Sequence, residues 1–506
     1  MPPLVLLTAL SMAFGWRIRG QFGHEAGAAI AGALGAMAIA LLSGRQDWQR
    51  RVHYFALLGA LGWSFGGSIS YMKVIGYTHS SDSATVLYGF AGVFLIGFLW
   101  AGLGGAGTAL AAVLDQEKLR DVVRAAAVVM GAWFVEDVFV DAVRAHGGRS
   151  WNWFDSDWMG ATSAALAVSI LALGRRRIDF GVSLVLHLAA GWWIAFGLLV
   201  PILGLHLNPP RGDNWAGVLG LFGGWVVFSR RRRLDEAARS AMLCAILGGA
   251  GFCLGQTLKL VWIATGVQWG WHATMEWFHG LFHGVALAIA MAPLLRGGSV
   301  SWTAMPRMEV FAVLFVVWVI PYLNFRRTPP IWLKHVKSLP AAFHGLYLSS
   351  NFLPSRGWLG WIEIGFVAAG AIAAALLVRH TRQSLAPLSG SWESRGQLLY
   401  LTLLWTMFVI STVHETAMLE PMVLVMQMGV GLTGAICMWL LLASPPVRST
   451  AVPAWPSRML AIGLAAAIVA PVAGWTVKRA LYGDKFGGYF YMNHIRFGPN
   501  NTNDKR

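Results

Sequence analysis

The sequence predicts an all-α fold, a polytopic transmembrane helical bundle of about 14–15 spans. Of the 506 residues, 56% are hydrophobic and only 12% are charged. A soluble globular chain carries roughly 25% charged residues, so this composition excludes a soluble enzyme, a disordered protein and a secreted disulfide scaffold. Cys244, Cys253 and Cys437 all lie inside apolar runs, which is typical of small buried hydrophobes and not of a disulfide or zinc framework.

The individual spans follow from apolar runs, because a bilayer crossing needs about 20 mainly apolar residues. The first two runs form either two spans or one broken helix. We divide the chain into a membrane domain of about five related hairpins at 1–300, a second membrane domain at 301–477 with a large external loop at 324–357, and an aromatic, basic external tail at 478–506. The qualifying runs are 2–18, 24–43, 53–75, 86–113, 124–143, 158–174, 180–203, 215–229, 240–265, 272–294, 308–323, 359–378, 396–413, 418–443 and 458–477.

The joints between runs alternate in character, and this alternation predicts the orientation. The net charge is +16, but the basic residues cluster between apolar runs, so topology explains them better than a nucleic-acid partner. Seven basic joints hold 21 of the 39 Lys and Arg residues and are expected to be cytoplasmic. The other joints are aromatic and mixed-polar. We therefore predict an integral plasma (inner) membrane protein whose functional tips face outside or the periplasm.

The hairpins share local patterns that indicate internal duplication. Several ascending arms carry a glycine, one or two aromatic residues and a second glycine, as at 15–20 and 62–67. The alternative is that helices rich in Gly and Trp resemble one another by composition. Descending arms open with a residue suited to capping a helix start, and these residues are Glu25, Asp82, Asp157, Asp213 and Glu415.

One predicted helix carries a stripe of ionisable side chains directly after Trp271. His272, Glu276, His279 and His283 are spaced at i, i+4, i+7 and i+11, so they fall within about 60° of one another on a helix. The stripe is open to three interpretations. It is a polar or proton-conducting network, a divalent metal site in which His272, Glu276 and His279 are ligands, or a set of structural histidines bonded to neighbouring backbone.

A His-Glu pair occurs at two outward turns, and each is expected at the start of a descending helix. His24 and Glu25 follow Arg17 and Arg19, and the second pair is His414 and Glu415. Arginine forms bidentate bonds to carboxylate or phosphate, so Arg17 and Arg19 are candidate ligands of an anionic group. His24 and Glu25 would then supply acid–base groups. Alternatively, Glu25 only caps its helix and neutralises Arg17 or Arg19.

Two further groups of charges fall within apolar runs, where ionisable residues are costly. Glu136, Asp137 and Asp141 share one run, and Lys73 and Lys259 lie on others. A salt bridge between such groups is at least as consistent with the sequence as a coupling-ion site. We include Lys259 with Trp271, His414 and Glu415 among the candidate substrate-binding residues.

The sequence contains no nucleotide-binding motif, no nucleophile elbow and no Cys-x-x-Cys. Three functions remain. The first is a secondary, proton-coupled transporter of a small polar or anionic solute, in which His279 and His283 couple protons. The second is a membrane-embedded enzyme, a metal-dependent or acid–base hydrolase or an acyl or glycosyl transferase, that acts at the outer face on a lipid-linked or headgroup substrate with His24 or Glu276 as the base. The third is a non-catalytic scaffold.

Overall fold

The computed structural model confirms the all-α class and the multi-pass membrane architecture. It describes residues 2–66, 71–145, 158–207, 214–300, 305–328, 395–416, 421–447, 454–484 and 496–497, with a few single positions between these ranges. The predicted external loop after 328, the predicted span 359–378 and most of the C-terminal tail lie outside the described residues. The only strands among the described residues are two residues each, and they pair antiparallel: β1 (Leu205–His206) and β2 (Arg496–Phe497).

The helices account for nearly all of the described chain. Two of them are extended by π-helical segments, at Leu198–Ile202 and Phe315–Val319, and one by a 3-10 turn at Ala292–Arg296. In chain order the helices are α1 (Pro2–Phe22), α2 (His24–Leu42), α3 (Gln46–Gln49), α4 (Val52–Gly66), α5 (Met72–Tyr77), α6 (Ser83–Val113), α7 (Gln116–Ala145), α8 (Trp158–Arg175), α9 (Phe180–Gly197), α10 (Asn214–Arg231), α11 (Asp235–Ala264), α12 (Trp271–Met291), α13 (Pro306–Leu314), α14 (Ile320–Phe325), α15 (Arg395–Thr416), α16 (Pro421–Ala443) and α17 (Met459–Tyr482).

Ten helical segments of the described chain are long and apolar enough to cross a membrane. Each coincides with a predicted span, and α13, its π-helical extension and α14 together make one of them, Pro306–Phe325. Four further predicted spans correspond to α1, α4, α7 and α10, which are helical but do not meet the same criterion of length and apolar composition. The predicted run at 53–75 is interrupted after Gly66 and continues as the short α5.

The described chain divides into two interleaved compact units. The first consists of Met1–Leu61, Gln268–Ala288 and Trp302–Val452, and the second of Gly62–Val267, Ile289–Ser301 and Pro453–Arg506. The first unit therefore contains α1 to α3, most of α4 and of α12, and α13 to α16. The second contains α5 to α11 and α17.

In the first unit, α1 and α2 form a tight hairpin and not one broken helix. Gly23 makes the turn at a φ of 91° and a ψ of −175°, a conformation that only glycine adopts readily. A β-carbon at Gly15 would lie 2.5 Å from the Ala31 α-carbon, so the two helices touch backbone to backbone. Gly280 and Gly284 on α12 face α1 in the same way, and this four-residue spacing of small residues permits close helix packing.

The second unit also contains close helix contacts at glycine, and two of its helices are capped by side chains. Gly224 of α10 faces the carbonyl of His187 on α9, with no room for a β-carbon. Asp179 caps α9 by accepting a 3.0 Å hydrogen bond from the Val182 N–H. Asp82 caps α6, as the sequence predicts, by accepting a 2.7 Å bond from the Thr85 N–H. Hydrogen bonds from the Thr85 hydroxyl and from its N–H hold the pKa of Asp82 below its usual range.

Candidate functional site

Buried charges gather at one end of the first unit, where α1 and α15 end and α12 begins. We call Arg17, Arg19, Glu276, His414 and Glu415 the outer cluster, because the sequence predicts that this end faces outside. The helix dipole favours cations at a helix C-terminus and anions near an N-terminus. Arg19 in the last turn of α1 follows that rule, whereas Glu276 lies beyond the first turn of α12.

Arg19 and Glu276 form the tighter of two ion pairs in this cluster. The Nη1 of Arg19 donates to Glu276 Oε1 at 3.0 Å, and the two side chains are only 3% and 5% exposed. The second carboxylate oxygen, Oε2, rests against the α-carbon of Gly20, where a β-carbon would collide with it. The Arg19 guanidinium also lies 5.7 Å from the centre of the Trp16 ring. Glycine at position 20 thus makes the room in which the carboxylate reaches the arginine.

Arg17 and Glu415 form the second pair with a looser geometry. The Arg17 Nη1 and Glu415 Oε1 atoms are 3.7 Å apart, which is a charge contact but longer than a hydrogen bond. Both side chains are less than a tenth exposed. Two positive and two negative side chains are thereby packed into one end of a helical bundle, and each pair joins helices that are distant in the chain.

Two histidines border these pairs. His272 Nε2 lies 3.7 Å from Glu276 Oε1, and the His272 side chain is 38% exposed, so it connects the buried carboxylate to the surface. His414 is buried, its Nδ1 lies 3.2 Å from the Thr328 hydroxyl, and its ring meets the Phe22 ring edge-on at 4.7 Å. Thr328 was not predicted as a site residue, because an isolated threonine after an apolar run carries no pattern.

The remaining histidines of the stripe lie deeper on α12. His279 and His283 are completely buried, and the His283 ring meets the Trp16 ring edge-on at a centroid distance of 4.9 Å. The single helix Trp271–Met291 carries all four members of the predicted stripe. From Glu276 to His283 the stripe extends about 10 Å along the helix axis, since each residue rises ~1.5 Å.

The two His-Glu pairs do not occupy equivalent positions. His24 and Glu25 begin α2 as predicted, although Gly23 is its N-cap and no side chain caps it. His414 and Glu415 lie in the last turn of α15 and do not start a descending helix. The helix continues through Thr416, and α16 begins only at Pro421, a residue preorganised for a first helical position.

Several predicted residues are not members of the outer cluster. Glu25 is exposed, and the described counter-charges of Arg17 and Arg19 are Glu415 and Glu276 instead. The His24 side chain lies outside what the structure describes. Lys259 is buried within α11 of the second unit.

Two other predicted groups can be placed. Trp271, the first residue of α12, is partly buried, with its ring centre 6.4 Å from that of Trp269. Glu136, one of the predicted intramembrane acids, accepts a 2.6 Å hydrogen bond from the Ser163 hydroxyl.

The metal interpretation concerns His272, Glu276 and His279. In the part of the chain that the structure describes, no group of three or more His, Cys, Asp or Glu side chains is arranged to hold a metal ion. Glu276 directs its Oε1 to Arg19, which is a competing positive charge at the same oxygen. A divalent metal at this stripe stays a prediction.

The first unit contains a second set of buried polar groups at its opposite end. His53 and Gln397 are almost wholly buried, and their side-chain nitrogen and oxygen atoms make no hydrogen bond among the described residues. Glu309 is also buried, lies within electrostatic range of Tyr54 and accepts a 2.9 Å bond from the Met305 N–H. We call His53, Tyr54, Glu309 and Gln397 the inner cluster. Sequence reasoning missed it because its members are distributed over three apolar runs and form no spacing pattern within any of them.

Comparisons of the chain with protein-family models, with curated proteins and with solved structures find no match.

Proposed function

We propose that this multi-pass membrane protein is a secondary transporter that moves a small anionic solute together with protons. The observation that carries the proposal is the outer cluster, in which two buried arginines are neutralised by glutamates from other helices. An ionisable group within a membrane helix is by default a functional group, because burying it is costly. A scaffold would gain similar cohesion from apolar packing at lower cost, since buried ion pairs rarely add net stability.

Arginine determines the class of solute. Its planar guanidinium matches the two oxygens of a carboxylate or phosphate, so an anion of either type is chemically equivalent to the glutamates already present. Arg17 and Glu415 are 3.7 Å apart, so their contact is weaker than that of Arg19 with Glu276. Arg17 can therefore turn toward the carboxylate of a solute. We infer that the solute replaces one glutamate and binds between the two arginines.

Charge balance at the Arg19–Glu276 pair couples the movement of a proton to that of the solute. When Glu276 takes up a proton, it becomes a neutral carboxylic acid and its attraction for Arg19 falls. An incoming anion then neutralises Arg19 instead. One proton and one monovalent anion enter together, so the net charge of the buried site is unchanged. His272, partly exposed beside Glu276, is suited to deliver the proton.

Polar groups at successive depths of the first unit support movement beyond the outer cluster. His279 and His283 follow Glu276 on α12. Ser11 and Tyr400 bond to each other across α1 and α15, with their hydroxyl oxygens 2.5 Å apart. The inner cluster lies at the far end. A transporter needs groups that serve both faces, whereas an enzyme of the outer face needs only the outer set.

One observation favours an enzyme as the second candidate. His272 and Glu276 lie side by side, one partly exposed and the other buried, which is an arrangement that general acid–base catalysis also uses. A lipid-linked substrate would then react at the outer end of α12. The two candidates differ in whether labelled solute crosses the membrane.

The proposal is tested by uptake into proteoliposomes that contain the purified chain. Labelled monocarboxylates, dicarboxylates and phosphate are offered with and without an inward proton gradient. We expect one anion class to accumulate only with the gradient, and Arg19→Gln to abolish the accumulation. The matched control is Arg120→Gln, which removes a partly exposed arginine of the second unit and should transport normally. Absence of gradient-driven accumulation for every anion would contradict the proposal.

A further inference from the structure

The second unit brings two runs of arginines together at one end. The run Arg175–Arg177 begins at the last residue of α8, and the run Arg230–Arg233 begins in the last turn of α10. Arg232 contacts α9, because its Nη2 donates to the Ser183 hydroxyl at 3.0 Å. Its guanidinium also lies 5.8 Å from the ring centres of both Phe180 and Phe228. Arg232 is thus held in place by one hydrogen bond and two aromatic rings.

Arg231 extends along α9 toward the membrane interior. Its Nη1 lies 3.3 Å from His187 Nε2, and His187 Nδ1 lies 2.7 Å from the Ser183 carbonyl oxygen. A carbonyl only accepts and a guanidinium only donates, so His187 carries its proton on Nδ1 and accepts from Arg231. His187 is seven residues into α9, about 10 Å from its first residue. The exposed Arg231 guanidinium therefore lies along the side of α9 and not at its first residue.

Two acids of this region, Asp121 and Asp179, are engaged with other arginines, whereas Asp235 and Glu236 are exposed in the first turn of α11. Asp179 lies 3.5 Å from both Arg124 and Arg175, and Asp121 lies 3.1 Å from Arg124. Among the side chains that the structure describes, no carboxylate makes an ion pair with Arg231 or Arg232. Arg231 and Arg232 are both exposed, so their charges are accessible to an anionic ligand.

Exposed apolar side chains occur at the ends of α8 and α10 and just before α9, the segments that carry these arginines and their contacts. Leu173, Ile178 and Val227 are 77%, 67% and 47% exposed, and Val227 precedes Arg231 by one helical turn on the same face of α10. A ligand that fits must combine a phosphate with hydrocarbon chains. We propose that Arg231 and Arg232 bind the headgroup phosphate of an anionic phospholipid, whose acyl chains lie along Val227 and Ile178.

This proposal is independent of the transport function and is tested by native mass spectrometry of the full chain in detergent. Phosphatidylglycerol is titrated against phosphatidylcholine. We expect wild type to bind phosphatidylglycerol at least about tenfold more tightly. The double variant Arg231→Gln/Arg232→Gln should weaken it about thirtyfold, the effect of two basic residues near an anionic surface. The control Arg296→Gln/Arg458→Gln removes two exposed arginines elsewhere in this unit and should change binding less than about threefold.

Three results would overturn the lipid site. One is equal binding of the two lipids by wild type, a measurement that does not depend on whether the variants fold. The second is an equal loss in the double variant and the control, which would indicate only a diffuse positive surface. The third is displacement of phosphatidylglycerol by millimolar inorganic phosphate, which would indicate a site for the anion without its acyl chains.

Discussion

The guanidinium of Arg19 and the carboxylate of Glu276 meet at 3.0 Å although the two residues are 257 positions apart in the chain. Both side chains are almost wholly buried. The pair therefore fixes the C-terminal end of α1 against the first turns of α12, and it places a titratable acid beside an arginine that suits anions. The stability and the proposed transport of the protein both depend on this contact.

Breaking the pair from one side should destabilise the protein strongly. Glu276→Leu removes the described counter-charge of the buried Arg19, at a cost of about 3–5 kcal/mol. The double variant Arg19→Met/Glu276→Leu should recover most of that loss but should not transport. Thermal unfolding in detergent measures both, and a single variant that unfolds at the wild-type temperature would contradict the assigned pairing.

Gly20 should be essential for function although it carries no chemical group. The substitution Gly20→Ala introduces a β-carbon where Glu276 Oε2 now rests, so the carboxylate must move away from Arg19. We expect anion uptake to fall by at least about tenfold, since small displacements at a site have effects of that order. Gly131→Ala is the matched control, because Gly131 lies within α7 and has nothing within 4 Å of its added β-carbon. Equal uptake by the two variants would exclude a role for the close contact.

The predicted orientation places the outer cluster outside the cell. A cysteine at Val267, which is 57% exposed in the joint before α12, should react with an impermeant thiol reagent added to intact cells. A cysteine at Gly174, which is exposed at the end of α8 beside the basic joint, should react only after the membrane is permeabilised. The reverse labelling pattern would place the cluster inside, and the direction of proton coupling would then be reversed.

The sequence predicted local features of this protein well and long-range ones poorly. The stripe of α12 was predictable because its 3.6-residue periodicity is a property of one segment. The pairing of Arg19 with Glu276 and of Arg17 with Glu415 was not predictable, because no local pattern indicates which helices contact each other. The same limit explains why Glu25, close in sequence to the arginines, was one of the alternatives considered as their partner. The internal duplication of hairpins stays a prediction.

Helix ends were predictable where a short polar signal precedes an apolar run, as at Asp82. Helix ends were not predictable where the polar signal is ambiguous. His414 and Glu415 resemble a helix start but end α15, because Pro421 further along supplies the better first position for α16. The inner cluster was missed for a related reason, since a lone His, Gln or Glu in an apolar run gives no spacing to interpret.

The cap of α6 makes part of the stability dependent on pH. The hydrogen bonds from Thr85 lower the pKa of Asp82, so its stabilising contribution is complete above the unfolded-state value and is lost as pH falls through the folded-state value. Asp82→Asn keeps the capping oxygen but does not ionise in this range. We expect the wild-type unfolding temperature to fall more than that of the variant between pH 6 and pH 3. If the unfolding temperatures of wild type and Asp82→Asn fell in parallel over this pH range, Asp82 would not be ionised in the folded protein.

Metal content separates the interpretations of the α12 stripe. The transport proposal expects the purified protein to carry no stoichiometric metal, since Glu276 is bound to Arg19. About one equivalent of zinc, iron or manganese in wild type that is lost in His279→Ala would instead support a metalloenzyme with ligands such as His272, Glu276 and His279. Elemental mass spectrometry of the two preparations makes this comparison.

The central claim, that anion and proton move together through the Arg19–Glu276 pair, is tested most directly by proton entry into proteoliposomes. A pH-sensitive dye is trapped inside, and the accepted anion is added outside without any imposed gradient. Coupled transport predicts that the anion acidifies the interior of wild-type vesicles, and that Glu276→Gln vesicles show no acidification. Uptake of the anion with an unchanged internal pH, or equal acidification by wild type and Glu276→Gln, would contradict it.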